Sequence, residues 1–165
     1  MRAVDLQQSL PMVERDGSIA EAGRVIAEQG RIGVVVCDGS GAPIGMITAL
    51  DVFRLALPDY LVDDPSLAAT VDDASIDDMI ERLRHKTVGE AVSDDSVRLR
   101  AVPVVDADAT VMEIAAVLVS TGSAIAAVAG TTGPDARFVT LPAVLQTIVR
   151  RADGASADES RRGPA

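Results

Sequence analysis

The sequence predicts an α+β fold made of two tandem β-α-β-β-α repeats with a helical insert between them. Three observations lead there. The chain aligns on itself without a gap after a shift of 92 residues, from about Leu10 to Leu57, with Leu10 falling on Val102. Such self-similarity marks a duplicated structural unit. Each copy opens a helically spaced apolar run with the same signature, Ser18-x-x-Glu21 in the first and Thr110-x-x-Glu113 in the second, which reads as a capping box. Each helix is then followed by a glycine and by two short apolar stretches that a Gly-containing turn separates, the pattern of paired strands.

Taken in order, residues 1–9 are short and mixed, a helical turn or a strand that docks on the repeats. Pro11–Val13 is a leading strand. Ile19, Ala22 and Ile26 share one helical face, and Gly30 stops that helix. Strands follow over Gly33–Cys37 and Ile44–Ile47, then a helix over Ala49–Leu57 that Pro58 ends. The first repeat is thus 1–57. Residues 58–86 form an acidic insert. Between Asp59 and Asp95 stand 11 acidic residues against three basic ones, a net −8 of the chain's −10. Ile76, Met79, Ile80 and Leu83 are helically spaced, so one or two amphipathic helices are expected there. The Asp63-Asp64, Asp72-Asp73 and Asp77-Asp78 pairs read as a solvated face. The alternative, a divalent-cation site, lacks EF-hand spacing.

Residues 87–150 are the second repeat. Arg98 and Arg100 alternate with Leu99 and Ala101, as on an exposed strand face, though they also suit an approach to phosphate. Pro103–Val105 is the leading strand, and Val111, Ile114 and Leu118 are the helical face before Gly122. Ile125–Ala129 and Arg137–Val139 are strands, and Leu141–Arg150 closes the repeat with Pro142 in its first turn. Residues 151–165, rich in Ala, Ser, Gly and charge, read as a disordered tail.

The chemistry concentrates at Gly45-Met46-Ile47-Thr48-Ala49-Leu50-Asp51, where a strand hands over to a helix. A helix N-terminus leaves backbone N–H groups unpaired and carries partial positive charge, so it attracts anions. A hydroxyl at Thr48 suits phosphate, and a carboxylate at Asp51 suits ribose hydroxyls. The same two residues also read as a capping box. In the second copy Thr140 matches Thr48, but Ala143 stands where Asp51 does and Arg137 where Gly45 does, so the polar set is complete only once.

The tandem copy, the order of elements, the Gly-x-x-Thr-x-x-Asp run opening the last helix and the Thr87-Val88-Gly89-Glu90-Ala91-Val92 lead-in together resemble a CBS domain pair, or Bateman module, over roughly residues 1–57 and 87–150. The resemblance implies two repeats packed sheet to sheet about a pseudo-two-fold axis and a disc-shaped homodimer. It implies a regulatory role, with AMP, ADP, ATP or S-adenosylmethionine binding between the repeats and no required cofactor. Carried over, Thr48 meets phosphate and Asp51 holds ribose, in a run that includes Gly45 and Ile47. The base pocket falls on the leading strand, at Met12 and Val13, and on the strand after the first helix, at Ile32 and Val34. Thr140 and Arg137 mark a second, incomplete site, in which Arg137 fills the cleft or reaches a phosphate.

Composition narrows the alternatives. Hydrophobic residues make up 48%, enough for a core, while Phe53, Tyr60 and Phe138 are the only aromatics. Base stacking has little raw material, and a net charge of −10 repels phosphate backbones, so a nucleic-acid partner is not expected. No apolar run of transmembrane length is present, and Asp5, Gln7, Gln8 and Glu14 interrupt any signal-type apolar stretch, so a cytoplasmic protein is the expectation. Cys37 is the single cysteine, read as a core residue, and His85 the single histidine, read as a surface residue. One of each builds no His-rich metal site and no nucleophile elbow, so no enzyme is expected. The second functional class left open is a structural dimerisation or docking module that binds no small molecule. Its interface would be the Ala/Val-rich helices.

Overall fold

The computed structural model describes residues 1–161, with side chains to Arg151. In chain order the elements are α1 (Ala3–Leu6), β1 (Met12–Glu14), α2 (Ile19–Glu28), β2 (Gly33–Cys37), β3 (Pro43–Thr48) and α3 (Ala49–Ala56). Then come α4 (Asp59–Asp63), a 3-10 turn at Pro65–Thr70, α5 (Ala74–His85) and α6 (Val88–Ser93). The rest is β4 (Val104–Val105), α7 (Val111–Thr121), β5 (Ile125–Val128), a 3-10 turn at Gly133–Asp135, β6 (Phe138–Thr140) and α8 (Leu141–Arg161). The expected β-α-β-β-α order is present twice. The closing helix α8 continues past Arg150 to Arg161, so the tail expected from 151 is helical that far. Residues 162–165 lie outside the described residues.

The chain forms two compact units, one of residues 10–101 with 132–134, the other of 1–9, 102–131 and 135 onward. Sequence repeat and compact unit therefore differ at their leading ends. In the first unit β1 runs parallel to β2, with Val13 opposite Val36, and β2 runs antiparallel to β3, with Val34 opposite Ile47. Val34, Val36, Ile47, Val13, Ile19 and Ile26 form the core. Burying a side chain of this size contributes roughly 1.5–3 kcal/mol. The lead-in helix α6 of the second repeat belongs to this unit. Val88 and Ala91 are buried in its core, and the Val88 and Gly89 amides donate to the Gly17 and Arg15 carbonyls at 2.9 and 2.8 Å.

The insert also folds here. Its α5 packs on α2 and α3, and Leu83 reaches the core. Two of its acidic residues are spent on local turns: Asp64 accepts from the Ser66 amide and hydroxyl, and Asp72 from those of Ser75.

The second unit repeats the plan. β4 is parallel to β5 and β5 antiparallel to β6, with Ile125 opposite Thr140. Val105, Ile114, Leu118, Val128, Val139 and Val144 fill its core. The chain's first residues complete it. Ala3 is fully buried, and its amide donates to the Ala109 carbonyl at 2.9 Å.

Local signals behave as the side chains dictate. Thr110 and Glu113 close a reciprocal capping box, the Thr110 amide donating to Glu113 at 2.7 Å. At Ser18 only the forward bond forms, from the Glu21 amide to the hydroxyl at 3.1 Å. Gly30 and Gly122 end their helices in the left-handed region, at φ +58° and +63°, where a side chain is strained.

Candidate ligand site at the start of helix α3

The β2–β3 pairing sets Gly33 opposite Thr48 and delivers the chain to the first turn of α3. The turn is fastened to the strand before it, where the Ala49 amide donates to the Ile32 carbonyl at 2.9 Å. Thr48 is the N-cap, in extended backbone at φ −113°. Its hydroxyl accepts from the Asp51 amide at 3.4 Å, and the Asp51 carboxylate reaches back to the Thr48 amide at 2.7 Å. The capping box read from the sequence is therefore real.

A third residue completes the cluster. Arg100 pairs antiparallel with Met46 at the free edge of β3, through amide–carbonyl bonds of 2.9 and 3.0 Å. Its Nη1 donates to Asp51 Oδ2 at 2.5 Å. Gly45 is what admits this segment: a Cβ there would stand 2.8 Å from the Leu99 Cβ and 3.2 Å from the Arg100 carbonyl oxygen. The glycine is demanded by the close approach of Leu99 and Arg100 on the neighbouring segment. Reading Arg98 and Arg100 as one exposed face needs that amendment, since the Arg100 side chain is 45% exposed but ends on Asp51.

The bonds on Asp51 are unevenly shared. The Thr48 amide, the Thr48 hydroxyl at 2.8 Å and Arg100 all donate to Oδ2. Oδ1 accepts none of these hydrogen bonds, yet no buried side-chain oxygen among the described residues lacks a partner. Oδ1 is therefore in contact with solvent, although the residue is only 9% exposed. Burial pushes the Asp51 carboxyl up. The Arg100 guanidinium, the Thr48 amide and the Thr48 hydroxyl outweigh it, and the pKa lies below the ordinary 3.8. The group is a carboxylate at neutral pH, held rigidly by one oxygen with the other open to accept a hydroxyl.

The remaining residues named from the sequence fall into three classes. Val13, Val34 and Ile47 point into the core, at 3%, 2% and 0% exposure, so only their backbone is available to a ligand. Met12 is half-buried, and Ile32 is 77% exposed. In the second unit, Thr140 is buried and accepts from Gln8 Nε2 at 2.9 Å and from the Ala143 amide at 3.4 Å. Arg137 lies just before β6. Its amide donates to the Thr131 hydroxyl at 2.9 Å and its Nη1 to the Ala136 carbonyl at 3.1 Å.

In the sequence Gln8 serves only to interrupt an apolar stretch, yet it has a structural counterpart. The shift of 92 that sets Leu10 on Val102 also sets Gln8 on Arg100 and Met46 on Phe138. Gln8 pairs with Phe138 as Arg100 pairs with Met46, so both units place this residue over the cap of the closing helix. One copy carries a neutral amide over Thr140 and the other a guanidinium over Asp51. A cavity of about 970 Å³ lies elsewhere, between α5 and α6. Its lining is charged, and its Lys86, Asp94, His85 and Glu81 are paired with one another. No helix of the described residues is long and apolar enough to cross a membrane.

Residues 3–57 match the family model of the CBS domain. No curated protein matches the chain. Among solved structures, a CBS domain-containing protein of unknown function from Kribbella flavida DSM 17836 is 28% identical, over 90% of this chain and 99% of that one, at a TM-score of 0.76. The CBS domain of a CBS domain-containing membrane protein from Sphaerobacter thermophilus is 19% identical over 88% and 86%, at 0.64. CBSX2 of Arabidopsis thaliana, solved in complex with AMP, is 17% identical over 92% and 98%, at 0.58.

Proposed function

We propose that this chain, a CBS-domain protein with the fold of a CBS pair, is a regulatory module that senses an adenine nucleotide or adenosyl ligand at the start of α3. The observation that carries the proposal is the open Oδ1 of an Asp51 carboxylate whose other oxygen is fully engaged. A buried carboxylate with one free acceptor, fixed in place by its own cap, matches the hydroxyls of a ribose. The AMP complex of CBSX2 supports the ligand class. Asp51 takes the ribose, and Thr48 and the first turn of α3 take phosphate or its substitute. Backbone groups of Met12, Val13, Ile32 and Val34 flank the base. In this reading the protein performs no catalysis, works as a cytoplasmic homodimer, and acts on a partner by favouring the conformation that binds the ligand more tightly.

Thermal unfolding of wild type and Asp51→Ala, with and without AMP, ADP, ATP and S-adenosylmethionine, tests it. Ligand at about 100 times its dissociation constant adds about 2.7 kcal/mol. A rise in midpoint with one ligand that the variant abolishes is the expected result, and no rise with any of the four overturns it.

A second reading is favoured by a separate observation. Phe53 of α3, Met112 and Val119 of α7, and Leu145 of α8 are all more than half exposed. A docking or dimerisation module that binds no small molecule would use such side chains. Under this second reading Leu145→Glu weakens association in sedimentation velocity while none of the four ligands raises the wild-type midpoint; a ligand-induced rise separates the two in favour of the first.

A further inference from the structure

We infer that Arg100 is the specificity-determining residue of the α3 site, admitting ligands that carry a phosphate and rejecting the cationic S-adenosylmethionine. The inference rests on the proposed nucleotide site and narrows its ligand class. It starts from one junction. Within 2.5–2.8 Å of a single carboxylate oxygen stand the Arg100 guanidinium, the Thr48 amide and the Thr48 hydroxyl. The guanidinium is therefore held at the first turn of α3, beside a carboxylate that already caps the positive end of the helix.

Its donors are not exhausted there. A guanidinium has five N–H donors in a planar fork, and the contact to Asp51 uses Nη1 alone. The Arg100 side chain is 45% exposed, so it keeps donors open to solvent beside the carboxylate proposed to hold the ribose. A phosphate pairs with such a fork through two charge-assisted bonds. In S-adenosylmethionine the sulfonium stands where AMP carries its phosphate and meets like charge, and its carboxylate lies four bonds farther out than that sulfur.

The second unit supplies the internal comparison. There the same backbone position carries Gln8, whose side-chain amide donates to Thr140, and Ala143 replaces the carboxylate. Charge at this position is therefore not required to pair the segment with the strand edge. The glutamine does that without it. The guanidinium and the carboxylate occur together, on the copy in which both are available to a ligand.

The test is isothermal titration calorimetry of wild type and Arg100→Gln with three probes: AMP, adenosine and S-adenosylmethionine. Glutamine is the residue the other copy uses, so the variant keeps the strand pairing. A charge-assisted pair lost on one side is worth about 10- to 100-fold in affinity. Wild type should bind AMP at least about tenfold more tightly than adenosine, and S-adenosylmethionine more weakly than either. Arg100→Gln should lose that AMP preference while adenosine stays within about threefold of wild type. Equal loss for AMP and adenosine, or a wild type that prefers S-adenosylmethionine, overturns the role of Arg100 and leaves the nucleotide site standing. No binding of any probe to wild type overturns the site itself, and the role of Arg100 with it. The wild-type ranking needs no variant, so the inference stays testable if Arg100→Gln folds poorly.

Discussion

Asp51→Ala, measured without ligand, tests the physical account of the α3 junction directly. The substitution removes the acceptor for the Thr48 amide and hydroxyl, and it strands the Arg100 guanidinium. Losing the return half of a capping box costs about 1 kcal/mol. The Arg100 contact is worth less than its length suggests, because the guanidinium is 45% exposed and water screens it, so about 0.5–1 kcal/mol is assigned to it. The total is about 1.5–2 kcal/mol, a fall in midpoint of roughly 4–7 °C for a chain of this size. Circular dichroism melts at pH 7 read this. Asp51→Asn keeps an oxygen for Thr48 and loses the charge, so it should fall about half as far. At 1 M salt, where the Debye length is about 3 Å, the difference between wild type and Asp51→Ala should shrink by the Arg100 share and keep the cap share. An Asp51→Ala midpoint within about 1 °C of wild type at low salt would refute the reasoning, since the three bonds would then hold nothing together.

Acid should reveal the same carboxylate. Its folded pKa lies below the ordinary value, so its stabilisation is present above about pH 4 and disappears as pH falls through the folded pKa. The wild-type advantage over Asp51→Asn should be complete at pH 6 and shrink progressively as pH falls below about 4, read from melts across that range. Asp94 gives a control elsewhere: bonds from Lys86 and Ser96 hold its carboxyl at about 2, so Lys86→Met should return it toward 3.8 in an NMR titration. Gly45→Ala should cost about 1–3 kcal/mol in chemical denaturation, because its Cβ meets the Leu99 Cβ at 2.8 Å, and a neutral result would mean the Leu99–Arg100 segment is not packed there. Ile114→Ala, at a fully buried position, should cost about 2–5 kcal/mol in the same assay.

What the sequence determined is what short-range chemistry determines. The duplication, the capping residues Ser18, Thr48 and Thr110, the glycine stops and the alternation of short strands with amphipathic helices depend on neighbours within a few residues. They appear where their spacing puts them. The handover from β3 to α3, and with it the Thr48–Asp51 pair, belongs to that class. Tertiary structure alone decided what meets that pair. Arg100 stands 49 residues from Asp51 in sequence, and no local preference of an arginine in an alternating stretch announces that it will lie along the edge of β3. Nor does composition tell that residues 1–9 complete the unit containing 102–131, or that α6 enters the core of the other. The ligand-site residues Val13, Val34 and Ile47 show the same limit. An apolar side chain serves a core and a pocket equally well, and only the packed chain turned these three inward. The physical reason is that a cap forms from residues three apart whatever the rest of the chain does. A strand edge is free to accept any extended segment, and a glycine at position 45, with room for a backbone beside it, selected the one carrying Arg100.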